Sequence, residues 1–372
     1  MKKIKVLVVD DSALIRRLFT DMLNADPHIE VIDTANDPIE ARSKIKQHNP
    51  DVITLDIEMP KMDGITFLEK LMRLHPLPVI MISSHTKKGA ECVMRSLQIG
   101  AVDFMPKPVN HEDNSLNIYA SNLINKIKIA SKANVTKHLE INSNNYENNT
   151  SDDLLHVSNR SNPELLNCNT NIQLVAIGSS TGGTEAVAEV LKSIPSDFPP
   201  IVITQHIPSK FSKAFAERLN RNCAGIIVEA QDGDEIKPGH VYIAPGGFQM
   251  EVVKYKYNLI CKVYEGEKVN RHCPSVEVLF KSVAKVVGKK VISVMLTGMG
   301  DDGSASMKDI QDVGGTTIAQ DEKSSVVWGM PGAAVKLGCI DKIVSLSNIA
   351  PELVNICRED SRKPISSLKA AI

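Results

Sequence analysis

Long hydrophobic runs are missing from this sequence. No stretch reaches the roughly 18 apolar residues that a membrane-spanning helix needs. The first residues run from MKKIKV into the acidic pair Asp10 and Asp11, so the long uncharged region of a secretory signal is also missing. We therefore expect a cytoplasmic protein that does not insert directly into a membrane.

An excess of charge of one sign is missing too. The chain has 43 basic and 44 acidic residues, a formal net charge of −1, and no run of Lys or Arg longer than two. Nucleic-acid binding depends on clustered positive charge, so DNA and RNA are not expected partners. Seven cysteines occur without CxxC spacing, which argues against a zinc or redox motif and favours reduced thiols in the core.

Large apolar residues are scarce in one segment only. Eleven asparagines lie between Asn134 and Asn171, mixed with Ser, Thr and Asp. Such a segment cannot bury enough apolar area to offset the loss of backbone entropy, which is typical of a linker. At roughly 150 residues per domain, 372 residues fit two domains. We place these domains at residues 1–125 and 172–362, with an Asn-rich linker at 126–171.

The residues before the linker alternate between short β-branched runs and helical patterns. This alternation predicts an α/β domain with a doubly wound, flavodoxin-like parallel sheet, whose ligands bind beyond the carboxyl ends of the strands. The strand-like runs are Ile4–Val9, Val31–Ile32, Val52–Leu55, Val79–Ile82 and Val102–Phe104, and the last helical pattern covers Leu116–Ala130.

Three carboxylates follow strands of this predicted sheet. Asp10 and Asp11 follow the first strand and Asp56 follows the third, so they can converge at one edge. Clustered carboxylates repel one another unless a hard cation lies among them, and oxygen ligands suit Mg²⁺. Two further strand ends supply Ser83 and Lys107, a hydroxyl and an ammonium that suit the oxygens of a phosphoryl group. Each residue alone is more often a helix cap or a solvated charge.

Together these five residues, with the Lys107-Pro108 step, closely resemble the receiver domain of two-component response regulators. The resemblance covers about residues 1–125. It implies that a chemotaxis histidine kinase phosphorylates Asp56, that Asp10, Asp11 and Asp56 hold Mg²⁺, and that Ser83 and Lys107 respond to the phosphorylated state.

A second candidate site begins after the linker. The strand-like run Leu174–Ile177 leads into GSSTGG at 178–183, followed by a helical pattern, and Ser180 lies at the centre of a G-x-S-x-G motif. Such a turn presents a serine hydroxyl, and the amides of the following helix can stabilise negative charge. A Gly-rich turn can also bind phosphate, but the Gly-Lys-Ser/Thr ending of a P-loop is missing.

A reactive serine needs a base, and His206 follows the next strand, Ile201–Gln205. His272 is the competing candidate. For the acid that orients the histidine, the Gly-rich loop TGMGDDG at 297–303 offers Asp301 and Asp302. The predicted chain order Ser, His, Asp differs from the orders of α/β-hydrolases, chymotrypsin and subtilisin, which indicates a distinct family.

Several motifs closely resemble the chemotaxis protein-glutamate methylesterase family, CheB. They are GSSTGGTE at 178–185, Gln205-His206, APGG at 244–247, PSV at 274–276, LTGMG at 296–300, Gln320-Asp321 and GMP at 329–331. By matching position, the resemblance implies that Ser180 is the nucleophile, His206 the general base and Asp302 the orienting acid. The backbone N–H of Met299 becomes a candidate oxyanion donor. It also implies an α/β catalytic domain with a mostly parallel sheet.

The implied activity is hydrolysis of glutamate methyl esters on methyl-accepting chemoreceptors, with deamidation of specific glutamines by the same acyl chemistry and no cofactor for the ester step. We further hypothesise that phosphorylation of Asp56 moves the receiver domain away and exposes Ser180. The alternative is a response regulator with a non-catalytic, protein-binding output domain. Gln249 and Cys273 depart from the family pattern, where His and Arg are common, and are expected to affect substrate contacts at most.

Overall fold

The computed structural model describes residues 2–84, 86–108, 113–133, 135, 165 and 171–362. The chain divides into two compact units at Asp153, and each unit is described by itself. Most of the predicted linker at 126–171 lies outside the described residues. Its first residues, to Ala130, belong to the last helix of the N-terminal unit, which therefore continues past residue 125.

The described residues of the N-terminal unit form one five-stranded parallel sheet with the strand order β2-β1-β3-β4-β5. The predicted doubly wound α/β fold is confirmed. Strands and helices alternate as β1 (Ile4–Val9), α1 (Ala13–Asn24), β2 (Ile29–Ala35), α2 (Pro38–His48), β3 (Val52–Asp56), α3 (Gly64–Leu74), β4 (Val79–Ser83), α4 (Lys87–Ile99), β5 (Asp103–Pro106) and α5 (Asp113–Ala130).

The helices of this unit begin with side chains that accept hydrogen bonds from free backbone N–H groups. Ser12 caps α1, Asp37 caps α2 and Asp63 caps α3, each with extended backbone and an oxygen on an amide of the first turn. Strands β3 and β4 are mostly apolar and are buried along their whole length. These caps and buried strands fix where each strand ends, and so place the polar residues of the candidate site.

The described residues of the C-terminal unit form a second parallel sheet, of seven strands, with the order β14-β13-β12-β6-β7-β9-β8. The separate antiparallel hairpin β10–β11 was not predicted from the sequence. The elements are β6 (Leu174–Ser179), α6 (Gly183–Lys192), β7 (Ile201–Gln205), α7 (Ser212–Asn222), β8 (Ile226–Glu229), β9 (His240–Ile243), β10 (Gln249–Tyr255), β11 (Asn258–Tyr264), α8 (Val276–Val287), a 3₁₀ turn (Gly288–Lys290), β12 (Val291–Met295), α9 (Ser304–Asp312), β13 (Thr316–Gln320), α10 (Met330–Lys336), β14 (Lys342–Val344) and α11 (Leu346–Arg362).

None of the described helices is long and apolar enough to cross a membrane. The six described cysteines form no disulfide with one another, and four of them are buried: Cys223, Cys261, Cys339 and Cys357.

Helix α8 packs against the centre of the second sheet at two glycines. A methyl group at Gly178, near the end of β6, would lie 2.4 Å from Cγ1 of Val276, the first residue of α8. A methyl group at Gly303 would lie 2.3 Å from the same atom. Gly303 also has a φ of +86°, which side-chain-bearing residues rarely adopt. The close approach brings the N-terminus of α8 to the loop that follows β12.

We predict that Gly178→Ala destabilises the C-terminal unit by about 1–3 kcal/mol, because the added methyl group overlaps Val276 in a packed core. Val276→Ala removes the overlapping Cγ1 atom and is expected to cost about 1 kcal/mol by itself. The double variant should then be more stable than the sum of the single changes predicts. Urea unfolding of the four proteins measures this coupling, and strict additivity would contradict the packing described.

Candidate active site and candidate metal centre

The predicted carboxylates of the N-terminal unit do converge at the carboxyl edge of its sheet. One oxygen atom from each of Asp10, Asp11 and Asp56 lies within 4.8 Å of the other two. Asp10 and Asp56 are buried, each 1% exposed, and Asp11 is exposed. The Nζ atom of Lys107 lies 2.8 Å from Oδ2 of Asp56 and 3.2 Å from Oδ2 of Asp10. One ammonium therefore pairs with two of the three clustered carboxylates.

Burial and mutual repulsion leave the charge of this cluster incompletely balanced. Burial raises the pKa of Asp56 to about 6, with a further contribution from the negative charge of Asp10, although the hydrogen bond from Lys107 opposes the rise. Burial also raises the pKa of Asp10. Burial disfavours the ammonium of Lys107, but its hydrogen bond and ion pair with Asp56 outweigh that effect and raise its pKa. The cluster is thus short of positive charge.

A divalent cation fits this cluster on its donor chemistry. The available donors are carboxylate oxygens, two of the three groups are buried, and a single ammonium cannot neutralise them. Hard cations such as Mg²⁺ prefer oxygen ligands of this kind, whereas zinc is usually held by nitrogen and sulfur. The residues present therefore suit the magnesium ion that the sequence predicts at this position.

The two remaining predicted residues lie beside the cluster. Ser83 ends β4 and is fully buried, and its hydroxyl donates to the carbonyl oxygen of Ser84 at 3.2 Å. The backbone N–H of Lys107 donates to the carbonyl oxygen of Ser83 at 2.7 Å, which extends the β4–β5 ladder past the last paired strand residue. This bond keeps the hydroxyl and the ammonium on neighbouring strand ends.

Ser180 lies on the turn between β6 and α6 in the second unit. Its backbone N–H donates to the carbonyl oxygen of Thr297 at 3.0 Å, and its own carbonyl accepts from the N–H of Gly183 at 2.7 Å. Gly182 adopts a left-handed φ of +75°, and a methyl group there would also lie 2.7 Å from Val326. The strand-to-helix turn predicted from the G-x-S-x-G motif is present.

A buried side-chain network ties this turn to the adjacent strand. Ser179 and Gln205 are paired in the parallel register of β6 and β7. The hydroxyl of Ser179 donates to Oε1 of Gln205 at 2.6 Å, and Nε2 of Gln205 donates to the carbonyl oxygens of Ser180 and His206 at 2.9 and 3.1 Å. The N–H of His206 donates to the carbonyl of Ser179 at 3.1 Å. Ser180 and His206 thus leave neighbouring strands at the same level.

His206 contacts one of the two predicted aspartates. Its Nε2 atom lies 2.8 Å from Oδ2 of Asp302, and both side chains are buried. Asp301 is exposed, so Asp302, the aspartate that the family resemblance indicates, is the one that lies against His206. An ionised carboxylate only accepts hydrogen bonds, so Nε2 carries the proton in this contact. The lone pair of a neutral imidazole then resides on Nδ1, which is buried and has no hydrogen-bond partner among the described residues.

The Asp302 carboxylate lies at the N-terminus of α8 and accepts several further hydrogen bonds. Burial by itself would raise its pKa, but the hydrogen bond and the electrostatic interaction with His206, with further hydrogen bonds, lower the pKa below its usual value. The N-terminus of α8 also favours the charged carboxylate, because the positive end of the helix dipole and free N–H groups lie there. The other donors are the hydroxyl of Ser275 (2.8 Å), the amide of Asn270 (2.9 Å) and the backbone N–H groups of Val276 (2.7 Å) and Glu277 (3.3 Å).

The loop that carries Met299 lies against the serine turn. A methyl group at Gly298 would lie 2.8 Å from Cβ of Ser180, so this loop packs directly on the serine. The carbonyl oxygen of Gly298 accepts from the N–H groups of Gly329 and Met330, which anchors the loop from the other side. Met299 itself is 40% exposed. These contacts put its backbone next to Ser180, where the oxyanion donor is expected.

Some residues of this site were missed by the sequence analysis. Gln205 was named only as part of a motif, and Asn270 was not named. Ser275 had a signal, because a serine after Pro274 and before an apolar helical run is typical of a helix N-cap. Gln249 was expected to affect substrate contacts, but it is 1% exposed and bonds only to backbone groups of Glu267, His272 and Ser275. It anchors the loop beside the site.

Comparison with known families matches both units. Residues 6–117 match the sequence model described as the response regulator receiver domain. Residues 175–353 match the sequence model described as the CheB methylesterase. The two matches coincide with the two units that carry the carboxylate cluster and the serine turn.

Curated relatives match nearly the whole chain. A protein of Xanthomonas campestris pv. campestris named protein-glutamate methylesterase/protein-glutamine glutaminase 1 is 47% identical over 94% of this chain and 96% of its own length. A protein of Hydrogenovibrio crunogenus with the corresponding name is 45% identical over 96% of this chain and 100% of its own length. Among solved structures, the Thermotoga maritima CheB methylesterase catalytic domain is 36% identical, with a TM-score of 0.49, and covers 50% of this chain and 98% of its own.

We predict that Mg²⁺ binding weakens below about pH 6, because protonation of Asp56, whose pKa is raised to about 6, competes with the cation. The carboxyl is charged above that pH and neutral below it, so the affinity for Mg²⁺ falls as the pH falls. For competition by this one carboxyl, the affinity should approach a fall of about tenfold per pH unit in the acidic range. Calorimetric titration with MgCl₂ between about pH 7 and pH 5 measures it.

The matched control for this titration is Ser83→Ala, which removes a neighbouring hydroxyl but no carboxylate. It should show the same pH dependence as the natural protein. An affinity for Mg²⁺ that stays constant from neutral to acidic pH in the natural protein would contradict the prediction.

Proposed function

Because the chain belongs to the CheB methylesterase family of carboxylic ester hydrolases and carries a receiver domain, we propose that it is a phosphorylation-activated protein-glutamate methylesterase. Its substrates are glutamate methyl esters on methyl-accepting chemoreceptors, and it acts on them in the cytoplasm. The observation that carries the proposal is the buried His206–Asp302 pair at the strand end next to Ser180.

In the proposed mechanism, Oγ of Ser180 attacks the carbonyl carbon of the glutamate methyl ester. Nδ1 of His206 accepts the hydroxyl proton as the Oγ–C bond forms, and the carbonyl oxygen becomes an oxyanion. The position of Nδ1 supports this role, because it is the unprotonated ring nitrogen when Nε2 donates to Asp302. Asp302 holds the ring in that tautomer and stabilises the imidazolium. The N–H of Met299 donates to the oxyanion.

The acyl-enzyme then forms and is hydrolysed. His206 returns its proton to the methoxy oxygen, the C–O bond to that oxygen breaks, and methanol leaves. A water molecule then attacks the acyl carbon while Nδ1 of His206 takes one of its protons. The bond from the acyl carbon to Oγ of Ser180 breaks, the proton goes to Oγ, and the product is a glutamate side chain.

The same acyl chemistry extends to glutamine side chains. Attack by Ser180 on a carboxamide gives the same acyl-enzyme, with ammonia as the leaving group in place of methanol. The relatives' name, protein-glutamate methylesterase/protein-glutamine glutaminase, supports this second activity for the present chain. We therefore propose that it also deamidates selected receptor glutamines.

For the receiver domain, we propose that Asp56 accepts a phosphoryl group from a chemotaxis histidine kinase. A magnesium ion held by Asp10, Asp11 and Asp56 would neutralise the oxygens of the incoming group. Lys107, 2.8 Å from Asp56, would pair with a phosphoryl oxygen, and Ser83 would donate its hydroxyl to another. The added charge changes the bonding of these two side chains, which signals the phosphorylated state.

The nucleophile is tested with Ser180→Ala and chemoreceptor membranes that carry methyl-labelled glutamates. Methanol release should fall at least about a thousandfold, because no other group supplies the attacking oxygen. Thermal unfolding of the variant should match the natural protein, since the alanine keeps the backbone of the turn. Unchanged methanol release from Ser180→Ala would show that the nucleophile is a different group. No methanol release by the natural protein would favour the alternative, a non-catalytic output domain.

The orienting acid is tested with a pair of neighbouring variants in the same assay. Asp302→Asn should lower kcat by about 10⁴-fold, because an amide no longer fixes the tautomer of His206. Asp301→Asn is the matched control: that side chain is exposed, and its loss should leave methanol release close to the natural level. Equal activity of the two variants would remove Asp302 from the mechanism.

Activation is tested with acetyl phosphate as a small-molecule phosphodonor in the presence of MgCl₂. Methanol release by the natural protein should rise at least about fivefold, the lower range of coupling between two sites. Asp56→Asn lacks the acceptor oxygen and should show no response, while keeping the unstimulated rate. Equal stimulation of both proteins would show that Asp56 is not the acceptor.

A further inference from the structure

A strained loop before α8 contacts both the base and its acid. Asn270 and Arg271 adopt left-handed φ values of +49° and +72°, although neither is glycine. Val269 and His272 close the loop with two reciprocal backbone hydrogen bonds of 3.0 and 2.9 Å. Strain of this kind persists only where surrounding contacts hold it, and it is most often found at functional sites.

The side chains of this loop lie on two sides of the His206–Asp302 pair. The imidazole of His272 stacks face to face on the imidazole of His206, with ring centroids 3.5 Å apart and ring planes 3° from parallel. Nδ2 of Asn270 donates to Oδ1 of Asp302 at 2.9 Å. The loop itself is anchored, because Nε2 of the buried Gln249 donates to the carbonyl oxygens of Glu267 and His272.

The stack restrains a motion that the His206–Asp302 hydrogen bond leaves free. One hydrogen bond at Nε2 holds that corner of the His206 ring in place. It does not fix the plane of the ring, which can still rotate. Nδ1 of His206 has no partner among the described residues to hold the opposite edge. A parallel ring at 3.5 Å blocks the rotation from one face and so holds Nδ1 in one direction.

We propose that His272 and Asn270 are positioning residues that hold His206 and Asp302 in the geometry the reaction needs. His272 fixes the plane of the base, and Asn270 fixes the carboxylate that orients it. Neither touches the ester. The inference rests on the proposed roles of His206 and Asp302 and adds the residues through which this chain enforces them.

The first experiment compares His272→Ala and His272→Phe in methanol release from methylated receptor membranes. Loss of the ring should lower kcat about 10- to 100-fold, because a small misplacement of a catalytic group costs that much. KM should stay within about twofold, since the substrate is not contacted. Phenylalanine restores a flat stacking surface without an ionisable group, so its kcat should return to within about threefold of the natural value.

The second experiment observes the ring without using activity. In protein labelled with ¹⁵N-histidine, the proton on Nε2 of His206 should give a low-field resonance, because it is held in a hydrogen bond to a buried carboxylate. It should broaden in His272→Ala and stay sharp in His272→Phe. Asp302→Asn identifies the resonance by abolishing it. An equally sharp resonance in His272→Ala would overturn the positioning role.

The third comparison isolates the amide of Asn270. Asn270→Gly keeps the left-handed backbone accessible and removes only the side-chain donor, so kcat should fall about tenfold with little change in thermal stability. Asn270→Asp has the same shape but places a second carboxylate against Asp302, and kcat should fall further. Natural kcat in either variant would overturn the role of Asn270.

The outcomes separate this inference from the proposed function. If the natural protein releases methanol, Ser180→Ala does not, and His272→Ala equals the natural protein, the proposed function stands and the inference about His272 is wrong. If His272→Phe is as slow as His272→Ala, the stacking argument is wrong. If the natural protein releases no methanol, the proposed function fails, and the resonance of His206 still decides whether His272 holds the ring.

Discussion

The buried carboxylate of Asp302 is the group on which the geometry of the second unit depends. A carboxylate removed from water is destabilised by several kcal/mol unless donors surround it. This one accepts from the ring of His206, two side chains and two backbone N–H groups at the start of α8. Those donors come from two parts of the chain, the end of β7 and residues 270–277, and Asp302 itself lies on the loop after β12. The anion therefore forces β7, the loop before α8 and the loop after β12 to meet at one point.

The close packing around Asp302 follows from the need of its buried carboxylate for hydrogen-bond donors. For the amides of α8 to reach Asp302, the helix must approach the sheet closely, and Gly178 and Gly303 provide the space beneath Val276. On the other side, Gln205 connects the turn of Ser180 to the strand of His206 with three hydrogen bonds. Two kinds of constraint, small residues under a helix and a buried amide between strands, thus place the serine and the histidine together.

The sequence predicted the parts of this structure that depend on local patterns. Apolar runs followed by polar residues identified the strand ends at Asp10, Asp56 and Ser180, because parallel strands bring their carboxyl ends to one edge. The sequence also named the pair Asp301 and Asp302. A spacing could not choose between these neighbours, since the choice depends on which side chain turns inward, and that is decided by packing against α8.

Other features depend on contacts that no short pattern records. The contact of Asn270 with Asp302 joins residues 32 positions apart and requires a left-handed backbone. Asparagine tolerates that conformation, but an asparagine in a sequence does not by itself predict it. His272 was identified as a competing base, and its position on the face of His206 could not be inferred from sequence spacing. Among the described strands, β10 and β11 pair only with each other. The alternation of strand-like and helical patterns that identified the parallel strands therefore did not identify this hairpin.

The excess of negative charge around Lys107 has a consequence for the folding of the N-terminal unit. Three carboxylates cluster, and two of them share one ammonium, only in the folded state, because the unfolded chain separates them in water. A cation that binds the cluster binds the folded state alone and adds to its stability in proportion to the logarithm of its concentration. Magnesium bound at this cluster would therefore tie the thermal stability of the N-terminal unit to the free concentration of that ion, and the ligand set proposed for phosphorylation would also stabilise the fold.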